Sequence, residues 1–202
     1  MIRRTLAGFV AIGIFAWCAL VQEARAEVDN PHSFIQTLGG EAIEMLSDPV
    51  LTEEDRVEEF RRILVKAFDL RTIGRFVLGR YWRRATPDER REFDVLFEDY
   101  IVATYAARLG QYQGESLTVN ATRDEGNGDI LVTTEIIPPD GPTVRVEWRV
   151  RGAPGSYRII DVVVEGISMV ITQRSEFASV IQRSGGQVSG LLDELRKKIG
   201  RK

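Results

Sequence analysis

Cysteine and histidine are almost absent from this chain of 202 residues, which contains one of each. A disulfide needs two cysteines, and a zinc site or a serine–histidine pair needs a histidine where other functional side chains converge. The only histidine, His32, is at the start of the first predicted helix, where a solvent-facing side chain is the simpler explanation. The sequence therefore predicts no disulfide within the chain, no metal site and no cofactor.

Other signatures of catalysis or of nucleic-acid binding are also missing. With 27 basic and 30 acidic residues the net charge is −3, too acidic to suggest a nucleic-acid partner. There is no glycine-rich phosphate loop, and residues 166–170 resemble only half of a nucleophile elbow because valine replaces the second glycine. Ser168 is better explained as a helix cap. Asp161 is better explained as the ion-pair partner of a cross-strand arginine such as Arg149 or Arg158. We predict no catalytic residue and no enzyme activity; a site made of carboxylates alone is the alternative left open.

The N-terminal segment is typical of a secretory signal peptide. Residues 2–4 include two arginines, residues 6–21 form an apolar run, and residues 24–26 read Ala-Arg-Ala, an A-x-A cleavage site. The apolar run is too short to favour a retained membrane helix. We predict a signal peptide over residues 1–26, export to the periplasm, and a single domain over residues 27–202.

Capping signals and apolar periodicity predict an α+β fold. The residues expected to cap four helices are Asn30, Thr52, Asp69 and Thr86. From Ser116 the apolar period changes to two, and four strands joined by short turns predict an antiparallel meander. A last helix is expected from about Met169 onward, with a weak point at Gly185–Gly186. Helices, sheet and helix in this order predict one α+β domain.

The fourth strand is unusual because apolar residues occupy both of its faces. Strict alternation places Ile160, Val162 and Val164 on one face. The other face then holds Tyr157, Ile159, Asp161 and Val163. Two explanations stay open at this point: helices cover both faces of the sheet, or one apolar face lines a cavity.

Four motifs carry a resemblance to a known family. They are F-V-L-G-R-Y-W at residues 76–82, A-T-P-D-E-R at 85–90, V-E-G-I-S-M at 164–169 and R-S-E-F at 174–177. In this order and spacing the sequence resembles the MlaC family, the periplasmic phospholipid-binding proteins of toluene tolerance and the Mla pathway. A hopanoid-biosynthesis-associated branch of the family is also similar. The resemblance implies a curved four-stranded antiparallel sheet wrapped by helices, with an apolar lipid pocket between them.

The same resemblance implies a function in lipid transport. It implies a carrier that shuttles phospholipid between an outer-membrane lipoprotein complex and an inner-membrane ABC transporter bearing an MCE-domain protein. A hopanoid ligand, or a subunit of a lipid-metabolising enzyme, is the alternative. We expect a monomer that has no nucleic-acid partner.

Apolar strand faces and aromatic helix sides supply the candidate lipid-binding residues. They are Phe76, Tyr81, Trp82, Phe97, Tyr100, Ile101, Val119, Val132, Val146, Trp148, Ile160, Val162, Val164 and Met169. For each of them packing in an ordinary core is the competing explanation. Arg80, Arg83 and Arg84 are candidates for contact with a lipid phosphate or an acidic partner, against the simpler explanation of a solvated cluster.

Overall fold

The computed structural model describes residues 30–200, so the predicted signal peptide at 1–26 lies outside the described residues. The four predicted N-terminal helices are present. They are α1 (Pro31–Ser47), α2 (Glu53–Ala67), α3 (Leu70–Leu78) and α4 (Pro87–Leu109). Asn30 and Asp69 accept hydrogen bonds from the first turns of α1 and α3. Thr52 and Thr86 form complete capping boxes with Asp55 and Glu89. The predicted helix starts are therefore confirmed, because a side-chain cap satisfies otherwise unpaired amide groups at each one.

A 3₁₀ segment joins α3 to α4, and a sheet follows α4. The 3₁₀ segment is Gly79–Arg83. The strands are β1 (Ser116–Gly126), β2 (Asp129–Ile137), β3 (Val144–Arg151), β4 (Arg158–Val164) and β5 (Ile167–Ser168). Each strand pairs antiparallel with the next, in the order β1-β2-β3-β4-β5. The predicted four-stranded meander is confirmed, and β5, with two residues, is an addition that alternation did not predict.

The predicted last helix is two helices, α5 (Met169–Arg183) and α6 (Val188–Lys198). Gly185 and Gly186 have φ angles of 69° and 82°, which side-chain-bearing residues rarely adopt. The Gly186 amide donates to the Ile181 carbonyl at 2.8 Å and so closes the end of α5. The prediction of one helix was wrong because the two glycines end α5 instead of weakening a continuous helix.

A bulge in β4 changes which residues share a face. The pairing with β3 shifts between Arg149 and Val150, so Val162 lies opposite Trp148 while Ile159 lies opposite Val150. Ile159 is fully buried on the face that the alternation gave to Val162. Its assignment to the opposite face was wrong, because the extra residue of a bulge breaks the period of two.

Two clusters of buried apolar side chains stabilise the fold. The first, called here the helical core, joins α3, the 3₁₀ segment and α4 to α5 and α6. Its buried members are Ile73, Val77, Leu78, Tyr81, Ala85, Phe93, Leu96, Phe97, Tyr100, Phe177, Ile181, Val188, Leu191, Leu192 and Leu195. Phe177 packs edge-on against Phe93 and Phe97, with ring centroids 6.1 and 6.2 Å apart. Residues far apart in the sequence therefore complete this core.

The second cluster, called here the sheet core, lies between one face of the sheet and helices α1 and α2. Its buried members are Ile35, Ala67, Val132, Val150, Tyr157 and Ile159. Its half-buried members are Phe34, Leu38, Phe68, Val119, Ile130, Trp148 and Val162. A Cβ atom at Gly39 would lie 3.1 Å from the Leu117 side chain, so this glycine lets α1 approach β1 closely. None of the helices within residues 30–200 is both long and apolar enough to cross a membrane.

Candidate lipid-binding face and arginine cleft

Six of the predicted site residues share one face of the sheet. Register places Val132, Trp148 and Val162 in one row across β2, β3 and β4, and Thr134, Val146 and Val164 in the next row. Val119 of β1 lies opposite Thr134. Residues directly opposite each other in an antiparallel pair project to the same side. The predicted residues gathered here are Val119, Val132, Val146, Trp148, Val162 and Val164.

The burial of this face is uneven. Val132 is fully buried, whereas Trp148 and Val162 in the same row are only half-buried. The Trp148 indole nitrogen donates to Thr134 Oγ1 at 2.9 Å, and that hydroxyl donates to the Val146 carbonyl at 3.0 Å. The polar atoms of the face are thus satisfied within the sheet, and apolar surface remains available beside them.

Four predicted residues belong to the helical core instead. Tyr81, Phe97 and Tyr100 are buried there, and Ile101 packs against it. Phe97 stacks on Phe93 at 5.4 Å between centroids. Ile160 and Met169 are half-buried, on β4 and at the first position of α5. The structure therefore does not bring all fourteen predicted residues into one site, and contact of each with lipid stays a prediction.

The remaining two, Phe76 and Trp82, line a cleft of about 510 Å³ between α3, the 3₁₀ segment and α5. We call it the arginine cleft. Its lining residues are Thr72, Arg75, Phe76, Gly79, Arg80, Trp82, Arg83 and Arg174. The cleft brings together the first and last of the four motifs, at residues 76–82 and 174–177.

Arg174 contacts both Phe76 and Gly79 in this cleft. Its Cζ lies 4.9 Å from the ring centroid of Phe76, a residue that is 45% exposed. The same guanidinium lies close to Gly79, where an added Cβ would be 3.0 Å from two of its nitrogens. Gly79 also has a φ of 53°, so glycine is favoured there both for its backbone conformation and for this contact.

Arg80 contacts the aromatic residue that follows it. Its guanidinium donates to the Tyr81 hydroxyl at 2.9 Å, and its Cζ lies 4.9 Å from the ring centroid. This hydrogen bond, together with weaker contributions that include the charge of Arg84, lowers the pKa of the Tyr81 hydroxyl from its ordinary value. Arg80 and Arg84 both lie against the Tyr81 ring and make this border of the cleft electropositive.

A second cleft, between α1 and α2, has the opposite charge. It measures about 620 Å³ and is lined by Glu41, Glu44, Met45, Asp48, Leu51, Asp55, Glu58, Glu59 and Arg62. Several of its carboxylates have partners: Glu41 pairs with Lys66 at 2.7 Å, and Glu59 pairs with Arg62. Asp55 accepts the hydroxyl of Thr52 at 2.7 Å, which lowers the pKa of this carboxyl.

Asp161 and Ser168 have a structural role at the start of α5. Asp161 accepts hydrogen bonds from Ser168 Oγ at 2.6 Å and from the Val170 amide at 3.2 Å. Ser168 Oγ in turn accepts from the Ile171 amide at 3.1 Å, so its predicted role as a helix cap is confirmed. The predicted ion pair of Asp161 was wrong: Arg149 approaches carboxylates of the β1–β2 hairpin instead, and Arg158 donates to a backbone carbonyl.

Sequence reasoning missed Arg75 and Arg174 as members of a site. Arg174 begins one of the four motifs, but nothing in its local sequence indicates that it contacts Phe76 and Gly79. Arg75 directly precedes Phe76, so a search for basic residues around the first motif would have included it.

Comparison with known proteins identifies first the fold and then the family. The fold is similar to the solved structure of a phospholipid-binding protein from Ralstonia solanacearum in complex with a phospholipid. The TM-score is 0.74 at 21% identity, covering 84% of this chain and 96% of that one. The family model of the MlaC protein matches residues 36–197. The chain belongs to the MlaC family, which confirms the resemblance seen in the four motifs.

Two curated relatives are consistent with this membership. Over 189 residues the chain is 23% identical to the toluene tolerance protein ttg2D of Pseudomonas putida, covering 90% of this chain and 86% of the relative. Over 129 residues it is 22% identical to the intermembrane phospholipid transport system binding protein MlaC of Haemophilus influenzae, covering 62% of this chain and 60% of the relative. The hopanoid-associated branch stays a prediction.

Proposed function

We propose that this protein is a periplasmic carrier that binds a phospholipid by its acyl chains and carries it between the outer and inner membranes. It would act as the soluble component of an Mla-type ABC-transporter system and not as an enzyme. Membership of the MlaC family and the names of its relatives support this proposal. The structural observation that carries it is the uneven burial of the sheet face around Trp148 and Val162.

The energetics explain why a carrier needs such a face. Each methylene group left in water costs about 0.8 kcal/mol. A two-chain lipid with about 30 methylenes therefore faces a desorption cost on the order of 20 kcal/mol. An apolar face that the side chains of the protein leave half-buried can replace the membrane interior for these chains, while the polar headgroup stays outside this face.

The same cost determines how the cargo must be released. Passive release into water is as costly as desorption from a membrane, so transfer has to occur while the carrier is docked to a membrane complex. By family resemblance the docking partners are an outer-membrane lipoprotein complex and an inner-membrane ABC transporter with an MCE-domain protein. Export depends on the signal peptide predicted at residues 1–26, and a mature chain that begins at Glu27 is the expected product.

Adjacent valines of β4 provide a matched test. Val162 belongs to the proposed lipid face, whereas Val163 lies opposite Glu147 and Ser168 on the other face, and both are half-buried. In native mass spectrometry of protein purified from the periplasm, we expect about one lipid per wild-type chain. Val162→Lys should remove the lipid, and Val163→Lys should keep it.

Circular dichroism must show that both variants fold. If Val162→Lys fails to fold, Val162→Phe offers a second route, because the larger ring occupies space that an acyl chain would need. Wild-type protein that is purified from the periplasm without lipid, or equal lipid content in the Val162 and Val163 variants, would contradict the proposal.

A further inference from the structure

The arginine cleft concentrates positive charge that the protein itself does not neutralise. Four arginines are among its eight lining residues, and none of those eight is acidic. Within residues 30–200 the arginines of the cleft form no ion pair, whereas Arg61, Arg151 and Arg196 elsewhere each have carboxylate partners. Guanidinium groups do not lose their proton near neutral pH. Their mutual repulsion is therefore relieved only by solvent or by an anion.

Part of this charge is fixed in position before any ligand arrives. Arg174 contacts both the Phe76 ring and the backbone of Gly79, and Arg80 is hydrogen-bonded to Tyr81. A guanidinium held in this way loses less conformational freedom on binding than a free side chain. These two cations reach the cleft from α5 and from the 3₁₀ segment, and Arg75 and Arg83 also line it.

The lining of the cleft also indicates the class of anion. The planar fork of a guanidinium matches two oxygens of a phosphate group. Phe76 and Trp82 add apolar surface beside the cations, and Phe76 is 45% exposed. A hydrated inorganic ion has no apolar surface to bury against these rings. A phosphate ester attached to an apolar group can contact the rings and the cations together.

We propose that the arginine cleft binds the phosphate group of a glycerophospholipid, with Arg174 and Arg80 as the positioned cations and Phe76 and Trp82 beside the glycerol backbone. That the phosphate belongs to a lipid rests on the proposed function. The cleft itself is defined by the geometry of α3, the 3₁₀ segment and α5.

The first experiment uses water-soluble probes, so that binding does not depend on acyl chains. Delipidated protein is titrated by calorimetry at about 0.1 M salt, where the Debye length is about 10 Å, with sn-glycerol 3-phosphate, with inorganic phosphate and with oligoglutamate. We expect the ester to bind most tightly. The affinity for it should fall by about tenfold or more in Arg174→Ala, the loss expected for one charge-assisted hydrogen bond. Arg174→Lys should restore only part of the affinity, because lysine keeps the charge but not the planar fork.

Arg91→Ala is the matched control. The Arg91 side chain is 73% exposed on α4 and pairs with Asp88, so this variant removes one positive charge that does not line the cleft. Its affinity should stay within about twofold of wild type, since an exposed charge that is already paired and makes no contact in the cleft is largely screened. Arg83→Ala offers a second test within the cleft if Arg174→Ala loses its fold.

Four outcomes decide the proposal. Reduced ester affinity in the cleft variants alone supports it. Equal losses of ester affinity in Arg91→Ala and Arg174→Ala would show that the affinity depends only on the net charge of the protein, and this would overturn the proposal. Preference for inorganic phosphate, or for oligoglutamate, would also overturn it, the second result indicating a surface for an acidic protein. No measurable binding of the ester would overturn it as well.

Native mass spectrometry separates this proposal from the proposed function. Wild-type protein that carries lipid while the cleft binds no ester leaves the carrier function intact and rejects the cleft. Ester binding that depends on Arg174 in a protein purified from the periplasm without lipid would keep the phosphate site and reject the carrier.

Discussion

The helical core and the sheet core differ in how completely they bury their side chains. Fifteen buried residues form the helical core, with seven half-buried residues packed against it, whereas the sheet core has six buried and seven half-buried ones within the described chain. Aromatic rings pack against one another in the first, as Phe93, Phe97 and Phe177 do. The helical core therefore has the character of a structural core, and the sheet core the character of a core that is open on one side.

Truncation in the helical core should have the largest effect on stability. Phe97 is 2% exposed. Phe97→Ala should lower the free energy of unfolding by about 3–5 kcal/mol, because it removes a fully packed ring and leaves a cavity. Urea unfolding followed by circular dichroism measures this, with Val95→Ala as the control because Val95 is 54% exposed on the same helix. A small loss of stability together with loss of bound lipid would instead place Phe97 in the lipid site.

A polar change in the sheet should have an intermediate effect. Thr134 is fully buried and accepts the Trp148 indole N–H. Thr134→Val keeps the volume but leaves that donor without its acceptor, which should cost about 1–3 kcal/mol. Thr134→Ser retains the hydroxyl and is the control in the same urea experiment. Equal stabilities of the Val and Ser variants would mean that water can reach Trp148, and that the sheet core is even more open than described.

The link between the two cores should contribute less. Arg61 of α2 pairs with Glu98 and Asp99 of α4, at 2.7 and 2.9 Å, and so connects a helix of the sheet core to a helix of the helical core. Arg61→Ala should cost about 1 kcal/mol, and less at high salt, since these groups are partly exposed. Arg62→Ala, which breaks a pair within one exposed helix face, should cost less still. A loss for Arg61 that does not change with salt would argue for packing instead of charge.

The smallest effect concerns protonation at the border of the helical core. The pKa of Tyr81 is lowered because a neighbouring cation stabilises the phenolate, so Arg80→Ala should raise this pKa toward its ordinary value. Ultraviolet difference titration at alkaline pH detects the phenolate, and Tyr81→Phe assigns the signal. An unchanged titration curve in Arg80→Ala would show that the Arg80–Tyr81 hydrogen bond is not formed in solution.

The starts of the helices were predictable because each depends on a few adjacent residues. Thr52 and Thr86 with their capping partners three residues later specify a helix start regardless of the rest of the fold. The face of Ile159 was not predictable, because the bulge that reverses it depends on pairing with β3. The break at Gly185–Gly186 was only partly predictable, since glycines permit positive φ angles but do not require them.

The candidate site shows the same division. Alternation found the sheet face, because the strands pair in sequence order and their registers follow from short turns such as Asn127–Gly128, with φ angles of 56° and 80°. Apolar periodicity could not show that Val162 lies on the sheet face while Phe97 is buried in the helical core. Both are apolar residues at regular spacing, and they differ only in which side chains pack against them. The contact of Arg174 with Gly79 joins distant segments, and no local pattern reports such a contact.

The order of elements along the chain has a consequence for biosynthesis. Each strand pairs with the strand before it in the sequence. Pairing of the sheet therefore does not depend on any segment that is synthesised later. Helices α3 and α4 instead pack against α5 and α6, which follow the sheet in the sequence and end at Lys198. Until α5 is synthesised, Phe93 and Phe97 lack the packing partner Phe177. A chain that ends before α5 should therefore expose apolar side chains of α3 and α4, the kind of surface that makes incomplete chains prone to aggregate.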